Sequence, residues 1–599
     1  MSDTKQPAHL SFERSASAWL APLQYDYPEN DNASAGLDLI CNAWLGHLTA
    51  NISPAAMLNA YGDWLTHLCL SPSKREILLL KAWKNLVRWN NYNMACGLNS
   101  SQSAPQNCIE PLPQDKRFSD PAWSVWPFNS IAQGFLLQQQ WWHRATTGVR
   151  GLSQHHEDVV NFTVRQVLDM LAPSNFLFSN PVVQKATMQS GGNNLIQGYF
   201  NALSDVRNSL SGSSREQEKT FEVGKNLAVT TGKVVFRNRL IELIQYAPVG
   251  KTVHAKPLLF VPAWIMKYYI LDLSPENSLV KYMVEHGYTV FMISWKNPQA
   301  EDRDLSMDDY RRLGVMAALD AVARITQTSK INAAGYCLGG TLLAIAAAAM
   351  ARDGDERLAS ISLFASQVDF EEPGELSLFI DESQVSFLEA AMWERGYLDT
   401  KQMAGAFQIL RSNDLIWSRR LHQYLLGLPE KQNDLMAWNA DATRMPYRMH
   451  SEYLRQLFLH NDLAEGRYLA GGKVISLGDI HMPIFAIGTV TDHVAPWRSV
   501  FKIHRLTDTE VTFVLTSGGH NAGVVSPPGP PNRSYQIATH EDKEHAIDAD
   551  RWQATVEHRD GSWWPAWESW LGQRSGKRIA PLPLSAYQDD APGSYVLEA

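Results

Sequence analysis

The stretch Lys330-Ile331-Asn332-Ala333-Ala334-Gly335-Tyr336-Cys337-Leu338-Gly339-Gly340-Thr341-Leu342-Leu343-Ala344-Ile345-Ala346 reads as a short strand, a sharp turn on one side chain and an apolar helix. That is the layout G-x-nucleophile-x-G, in which a strained turn presents a reactive side chain at the start of a helix. The reactive position here holds cysteine where lipases carry serine. Gly335 and Gly339 stand two residues before and two after it, where bulk would keep strand and helix apart. A thiol at a helix start also feels the unpaired backbone N–H groups, which favour the thiolate. On the motif alone, a buried inert cysteine in a glycine-rich turn is as good a reading as a nucleophile.

A cysteine nucleophile needs a base, and the base needs a group to orient it. Downstream, Met482-Pro483-Ile484-Phe485-Ala486-Ile487-Gly488 is strand-like and runs into Thr489-Val490-Thr491-Asp492-His493. Val511-Thr512-Phe513-Val514-Leu515 is a second strand, ending at Ser517-Gly518-Gly519-His520-Asn521. An aspartate and a histidine thus each follow a strand, in the order nucleophile, acid, histidine that α/β-hydrolases use. Either residue alone is more often a locally satisfied loop residue; the three in order point to a Cys337–Asp492–His520 triad. Neighbouring His493 reads as structural.

Upstream, Pro257-Leu258-Leu259-Phe260-Val261-Pro262 and Tyr288-Thr289-Val290-Phe291-Met292-Ile293-Ser294-Trp295 are near-continuous apolar runs, as parallel strands covered on both faces must be. A helix is expected from Ser278 to His286, ending at Gly287, and another over 308–326; Leu358 to Ala365 supplies a further strand. Strands alternating with helices predict an α/β-hydrolase fold, a doubly wound and mostly parallel sheet. Two backbone donors should face an oxyanion: the N–H of Leu338, and one near Ala263 or Trp264 in the loop after Val261.

These residues, with Phe118-Ser119-Asp120-Pro121-Ala122-Trp123, Phe221-Glu222-Val223-Gly224-Lys225-Asn226-Leu227, Glu242-Leu243-Ile244-Gln245-Tyr246, Lys267-Tyr268-Tyr269-Ile270-Leu271-Asp272-Leu273, Trp438-Asn439-Ala440-Asp441-Ala442-Thr443 and Gly561-Ser562-Trp563-Trp564-Pro565, resemble the polyhydroxyalkanoate synthases, in a single-chain, class I-like form. The resemblance runs from about residue 116 to the C-terminus. It implies polymerisation of 3-hydroxyacyl-CoA thioesters into polyester with release of CoA through a Cys337 acyl-enzyme. Asp492 and His520 would be the remaining catalytic residues. It further implies a homodimer, no cofactor beyond the CoA thioester substrate, and a cytoplasmic enzyme at the surface of polyester granules. Two roles stay open for Asp492: orienting His520, or helping to activate the incoming hydroxyl. The family usually reads P-P-x-I-N-K where this chain has Pro262-Ala263-Trp264-Ile265-Met266-Lys267. Trp264 adds volume beside the donor loop, and a preference for short acyl chains is expected. A thioesterase or polyester depolymerase using the same triad with water as acceptor is the competing reading.

The 599 residues carry a net charge of −9 with both signs interspersed, which excludes the footprint of a nucleic-acid binder. Cys41, Cys69, Cys96, Cys108 and Cys337 form no CxxC pair and suit a reducing compartment. The adjacent side chains of His155-His156-Glu157-Asp158 point apart and suit a solvated helix start, so no metal site is expected. No signal peptide is evident before Pro22, and the most apolar helix, 342–351, is about half the length a membrane span needs. Residues 1–215 are expected to be a mainly helical N-terminal domain, least family-like over 1–115 and helical near 37–50 and 74–92. Ser211-Gly212-Ser213-Ser214 reads as a linker before a catalytic domain over 216–599. Within the latter, 367–472 is too long for a plain connection and reads as a helical cap over the site. Trp563, Trp564, Trp567 and Trp570 on a late helix are expected to be packing residues.

Overall fold

The computed structural model describes residues 31–49, 51–98, 106–211, 220–400, 412–429, 432–541, 548–584 and 589–598. The expected linker beyond Ser211, the N-terminal 30 residues and part of the expected cap (401–411) lie outside them.

Ten strands form one sheet: β1 (Gly232–Arg237), β2 (Ile241–Tyr246), β3 (Leu258–Val261), β4 (Val290–Trp295), β5 (Ile331–Tyr336), β6 (Leu358–Phe364), β7 (Ile484–Thr489), β8 (Val511–Thr516), β9 (Ser534–His540) and β10 (His558–Asp560). Their order is β1-β2-β4-β3-β5-β6-β7-β8-β9-β10. The six strands from β4 to β8 are parallel, and every residue of β3, β4, β5, β7 and β8 is buried. Strands covered on both faces have no polar side, which is why they read as near-continuous apolar runs. Antiparallel pairs close both edges, β1-β2 against β4 and β9-β10 against β8. This is the α/β-hydrolase fold.

Among the described residues, seven α-helices precede the sheet: α1 (Asp31–Thr49), α2 (Pro54–Cys69), α3 (Pro72–Leu98), α4 (Phe128–Thr146), α5 (Gln154–Met170), α6 (Pro181–Gln189) and α7 (Asn193–Ser211). The sequence reading named α1 and α3 and passed over α2, although Ser53 caps its first turn and Pro54 opens it, a standard start signal. Helix α8 (Leu279–Glu285) ends at Gly287, whose φ of 83° only glycine adopts freely. The helix expected over 308–326 carries a π-helical stretch, Tyr310–Met316, between α-helical ends. Helix α9 (Leu338–Arg352) leaves the nucleophile turn with everything from Leu338 to Met350 buried.

Between β6 and β7 the chain makes a long insertion that includes α10 (Glu382–Arg395) and α11 (Asp434–Asn439). The N-terminal helices grip this insertion at two places. Helix α1 packs along α10, with Ser53 N donating to Gln384 Oε1 at 2.8 Å and Gln384 Nε2 returning a bond to the Asn51 carbonyl at 2.7 Å. Asn194 and Asn201 of α7 donate to the carbonyls of Leu425 and Gln423. After β8 come α12 (His520–Val524) and, beyond β10, α13 (Trp564–Gly572).

Candidate active site

Cys337 has φ 53° and ψ −127°, a left-handed backbone that a non-glycine residue holds only where its surroundings over-determine it. Three glycines let them do so. A Cβ on Gly335 would lie 2.3 Å from Gly340 Cα, one on Gly340 2.0 Å from Ser366 Oγ, and one on Gly339 2.1 Å from the Val261 carbonyl oxygen. Strand β5, the start of α9 and the loop after β3 therefore meet backbone to backbone around the cysteine. The turn is further held by Cys337 N donating to Phe364 O at 2.8 Å.

That contact brings Leu338, the first residue of α9, beside the loop of Ala263 and Trp264. As the first helical residue, Leu338 has no intrahelical acceptor for its N–H. The Trp264 ring is fully buried against Tyr310 and Tyr453, at ring-centroid distances of 5.6 and 6.3 Å, and its carbonyl accepts from Thr443 Oγ1. Two sequence segments noted separately prove to be one clamp. Trp438 Nε1 donates to Lys267 O (2.8 Å), Tyr269 O–H to Asp441 Oδ2 (2.9 Å), and Thr443 N to Ile265 O (3.1 Å). The insertion is thus bolted to the loop after β3. Lys267 Nζ in turn donates to the Glu598 carbonyl at 2.6 Å, so the C-terminal segment supports the same loop.

The loops after β7 and β8 bring Asp492 and His520 together. His520 Nδ1 lies 2.8 Å from Asp492 Oδ2, and Cys337 is near enough to the imidazole to act on it electrostatically. The Asp492 side chain is fully buried; Oδ1 accepts from Val494 N and Ala495 N at 2.9 Å each, and Oδ2 also accepts from Thr489 Oγ1 at 3.1 Å. Burial by itself would raise this carboxyl's pKa, but His520 and the two amides outweigh it and hold it below the ordinary carboxylate range. Burial would likewise lower the His520 pKa, yet the negative charge available on Asp492 and Cys337 pushes it well above the ordinary histidine range. The structure thus brings together the three residues that the sequence singled out, with a hydrogen bond between His520 and Asp492 and with Cys337 close to the imidazole.

His493 serves its loop through the backbone, its carbonyl accepting from Glu375 N at 2.9 Å. The four late tryptophans are buried, but packing is not their whole role. Trp563 Nε1 and Trp564 Nε1 donate, both at 3.0 Å, to the carbonyls of Gly523 and Val524, at the buried acceptor end of the helix that begins with His520. An indole needs a partner when buried, and that need was the signal available in the sequence. The histidine pair at 155–156 is less solvated than expected: His156 Nδ1 sits 2.6 Å from Asp63 Oδ2 of α2, and His155 Nε2 3.6 Å from Asp381 Oδ2 of the insertion. No group of three or more metal-type ligands occurs among the described residues. None of the described helices is long and apolar enough to cross a membrane.

Fold and site together define an α/β-hydrolase-fold enzyme with cysteine at the elbow. Family models described as "Poly-beta-hydroxybutyrate polymerase (PhaC) N-terminus", "Poly-beta-hydroxybutyrate polymerase N terminal" and "alpha/beta hydrolase fold" match residues 114–283, 32–74 and 256–527. A poly(3-hydroxyalkanoate) polymerase of Methylorubrum extorquens is 41% identical over 556 residues, 91% of either chain. The corresponding PhaC subunit of Rhizobium meliloti is 40% identical over 80% of this chain and 79% of its own, and that of Cupriavidus necator 36% identical over 80% and 83%. The chain belongs to the poly(3-hydroxyalkanoate) polymerase family, and it is an acyltransferase. The match over 32–74 carries the likeness upstream of residue 116, into α1 and α2, where no chemistry-bearing motif marks it.

Proposed function

We propose that this protein polymerises 3-hydroxyacyl-CoA thioesters into polyhydroxyalkanoate through an acyl-enzyme on Cys337. The observation that carries the reading is Cys337 on a strained turn beside His520, whose Nδ1 is held 2.8 Å from Asp492. His520 takes the thiol proton; the sulfur attacks the thioester carbonyl, the bond to the CoA sulfur breaks, and CoA leaves with the proton from the imidazolium. Exchanging one thioester for another is close to neutral in energy, so the acyl-enzyme forms at little cost. The 3-hydroxyl of the next unit then gives its proton to His520 and attacks the acyl carbon, forming the ester bond and freeing the thiol. Asp492 holds His520 by Nδ1 and stabilises its charged form. The N–H groups of Leu338 and of Ala263 or Trp264 hold the oxyanion. Neither step requires a cofactor.

The insertion acts as a cap that keeps water from the acyl-enzyme, so that a hydroxyl rather than water is the acceptor. A growing chain tethered to Cys337 is insoluble and holds the enzyme at the granule surface. The exposed Ile196, Tyr199, Phe200 and Leu203 of α7 suit such an apolar neighbour. We place the protein in the cytoplasm, as a homodimer, on the family resemblance. Incubation with 3-hydroxybutyryl-CoA, following CoA release and insoluble polymer together, tests the activity. Both products are expected, and neither from a normally folded Cys337→Ala protein. CoA with free acid and no polymer would identify a hydrolase instead.

A further inference from the structure

Three side chains around His520 have no part in the triad. Tyr336 ends β5, directly before Cys337, and its O–H donates to Asn521 Oδ1 at 2.5 Å. Asn521 directly follows His520, and its Nδ2 reaches Asn439 Oδ1, the last residue of α11 in the insertion, at 3.4 Å. The Tyr336 ring itself flanks the imidazole, 5.7 Å between centroids at an interplanar angle of 37°. Burial, and after it the proximity of Cys337 and Asp492, raises the phenol pKa far above its ordinary value, so Tyr336 stays a hydrogen-bond donor.

Each end of this chain of bonds is tied to a different part of the site. Tyr336 moves with the nucleophile turn. Asn521 moves with the histidine, on a helix of five residues entered through Gly518 and Gly519. Asn439 moves with the clamp that joins the insertion to the loop after β3, since Trp438, Asp441 and Thr443 beside it all bond that loop. The triad alone anchors the imidazole through Nδ1, a single point about which the ring can swing. Tyr336, held by its strand, flanks the ring as a second restraint, and its hydroxyl is fixed by Asn521.

We propose that Asn521 is a positioning residue: by accepting from Tyr336 and reaching Asn439 it keeps the His520 imidazole on the Cys337 sulfur and ties that placement to the position of the insertion. The proposal rests on His520 acting as the base for Cys337. A helix whose only task was packing would have no need of an amide bridging the nucleophile strand and the insertion at the residue after the histidine.

The test uses the full chain with Cys41, Cys69, Cys96 and Cys108 changed to Ser, so that iodoacetamide reports on Cys337 alone. Asn521→Ala, Tyr336→Phe, their double variant, Asn439→Ala and His520→Gln are compared. The readouts are the alkylation rate across pH 5–9 without substrate, kcat and KM for 3-hydroxybutyryl-CoA, and thermal unfolding. A lost neutral hydrogen bond predicts roughly a two- to twelvefold fall in kcat for Asn521→Ala and for Tyr336→Phe. KM and unfolding temperature should hold, and the acid limb of the alkylation profile should move in both. Because the two residues act as one unit, the double variant should be no worse than the poorer single. Asn439→Ala, which removes the longer bond, should show the same change to a smaller extent. Multiplying single effects, an unmoved alkylation profile, or a loss confined to KM or to unfolding temperature overturns the proposal. Should Asn521→Ala not fold, Tyr336→Phe decides it by the same readouts. A His520→Gln enzyme that keeps its turnover and its rapid alkylation at neutral pH overturns the triad reading itself, whatever the Asn521 variants do.

Discussion

Gly339→Ala is the sharpest challenge to the site geometry. The added Cβ would lie 2.1 Å from the Val261 carbonyl oxygen and 2.5 Å from the carbonyl carbon and oxygen of Pro262. All three atoms are backbone, so no side chain can swing aside. An ordinary contact of 3.4 Å requires the start of α9 and the loop after β3 to part by 1.3 Å, the difference between 3.4 and 2.1. Forcing a methyl into a packed site costs about 1–3 kcal/mol of stability. The larger effect is on chemistry, because Leu338 and the Ala263–Trp264 loop sit on the two sides being pushed apart. A misplacement of about 1 Å is worth on the order of 10²-fold in rate. The assay is CoA release from 3-hydroxybutyryl-CoA, with thermal unfolding measured alongside. Gly62→Ala is the control: this glycine lies exposed within α2, a Cβ there meets nothing within 4 Å, and alanine should stabilise the helix by about 0.5–1 kcal/mol. A Gly339→Ala enzyme that unfolds like the wild type and keeps half its turnover refutes the assignment of both donors to this contact.

Trp264→Ala should lose about 3–5 kcal/mol of stability, because the ring fills space against Tyr310 and Tyr453. If the ring also narrows the acyl site, the kcat/KM ratio of 3-hydroxyoctanoyl-CoA to 3-hydroxybutyryl-CoA should rise by roughly 1–3 kcal/mol at most, and an unchanged ratio rejects that role. Asp492→Asn should nearly abolish turnover while His493→Gln retains it; the reverse order in a CoA-release assay would move the catalytic role to the neighbouring residue. Burial drops the His450 pKa to about 3, below the unfolded value of about 6.5, so the unfolded chain binds the extra proton and stability falls as pH drops from about 6.5 towards 3. By pH 5 the loss is about 2 kcal/mol, and denaturant unfolding of His450→Leu at pH 7 and pH 5 should lack that portion of the decline.

What could be read in the sequence follows from how local the physics is. Strands β3 to β8 announce themselves because a parallel strand covered on both faces must be mostly apolar, with only a few buried polar residues such as Asn332, Ser360 and Ser362. The nucleophile turn has a local pattern, and its glycines are required because a Cβ there would come within 2.0–2.3 Å of the backbone or of Ser366. Strand β10 is exposed along its whole length and offers no pattern to read. The π-helical stretch in the helix over 307–326 keeps the apolar spacing of an ordinary helix and so stays hidden. The pairing of Trp438, Asp441 and Thr443 with the loop after β3 joins residues some 170 positions apart, with no periodicity to signal it.

That long-range clamp changes how the site should be regarded. Read along the chain, the triad consists of three residues delivered by three strand ends, each supported locally. In space, the loop after β3, the insertion and the histidine helix are restrained by one another: the loop by Thr443 and Trp438, the histidine helix by Trp563 and Trp564 at its far end and by Asn521 at its near end. The proposed acyl-enzyme, which would have to outlast the arrival of a second bulky unit, would gain from this arrangement. On the proposed mechanism, any displacement of the insertion would strain the Asn439–Asn521 link and the clamp on the loop after β3 together, and would so disfavour acyl transfer while water had access. The same coupling predicts that variants weakening the clamp, such as Thr443→Val, raise the share of free acid among the products more than they lower total CoA release; an unchanged ratio of acid to polymer would show that water is kept out by other means.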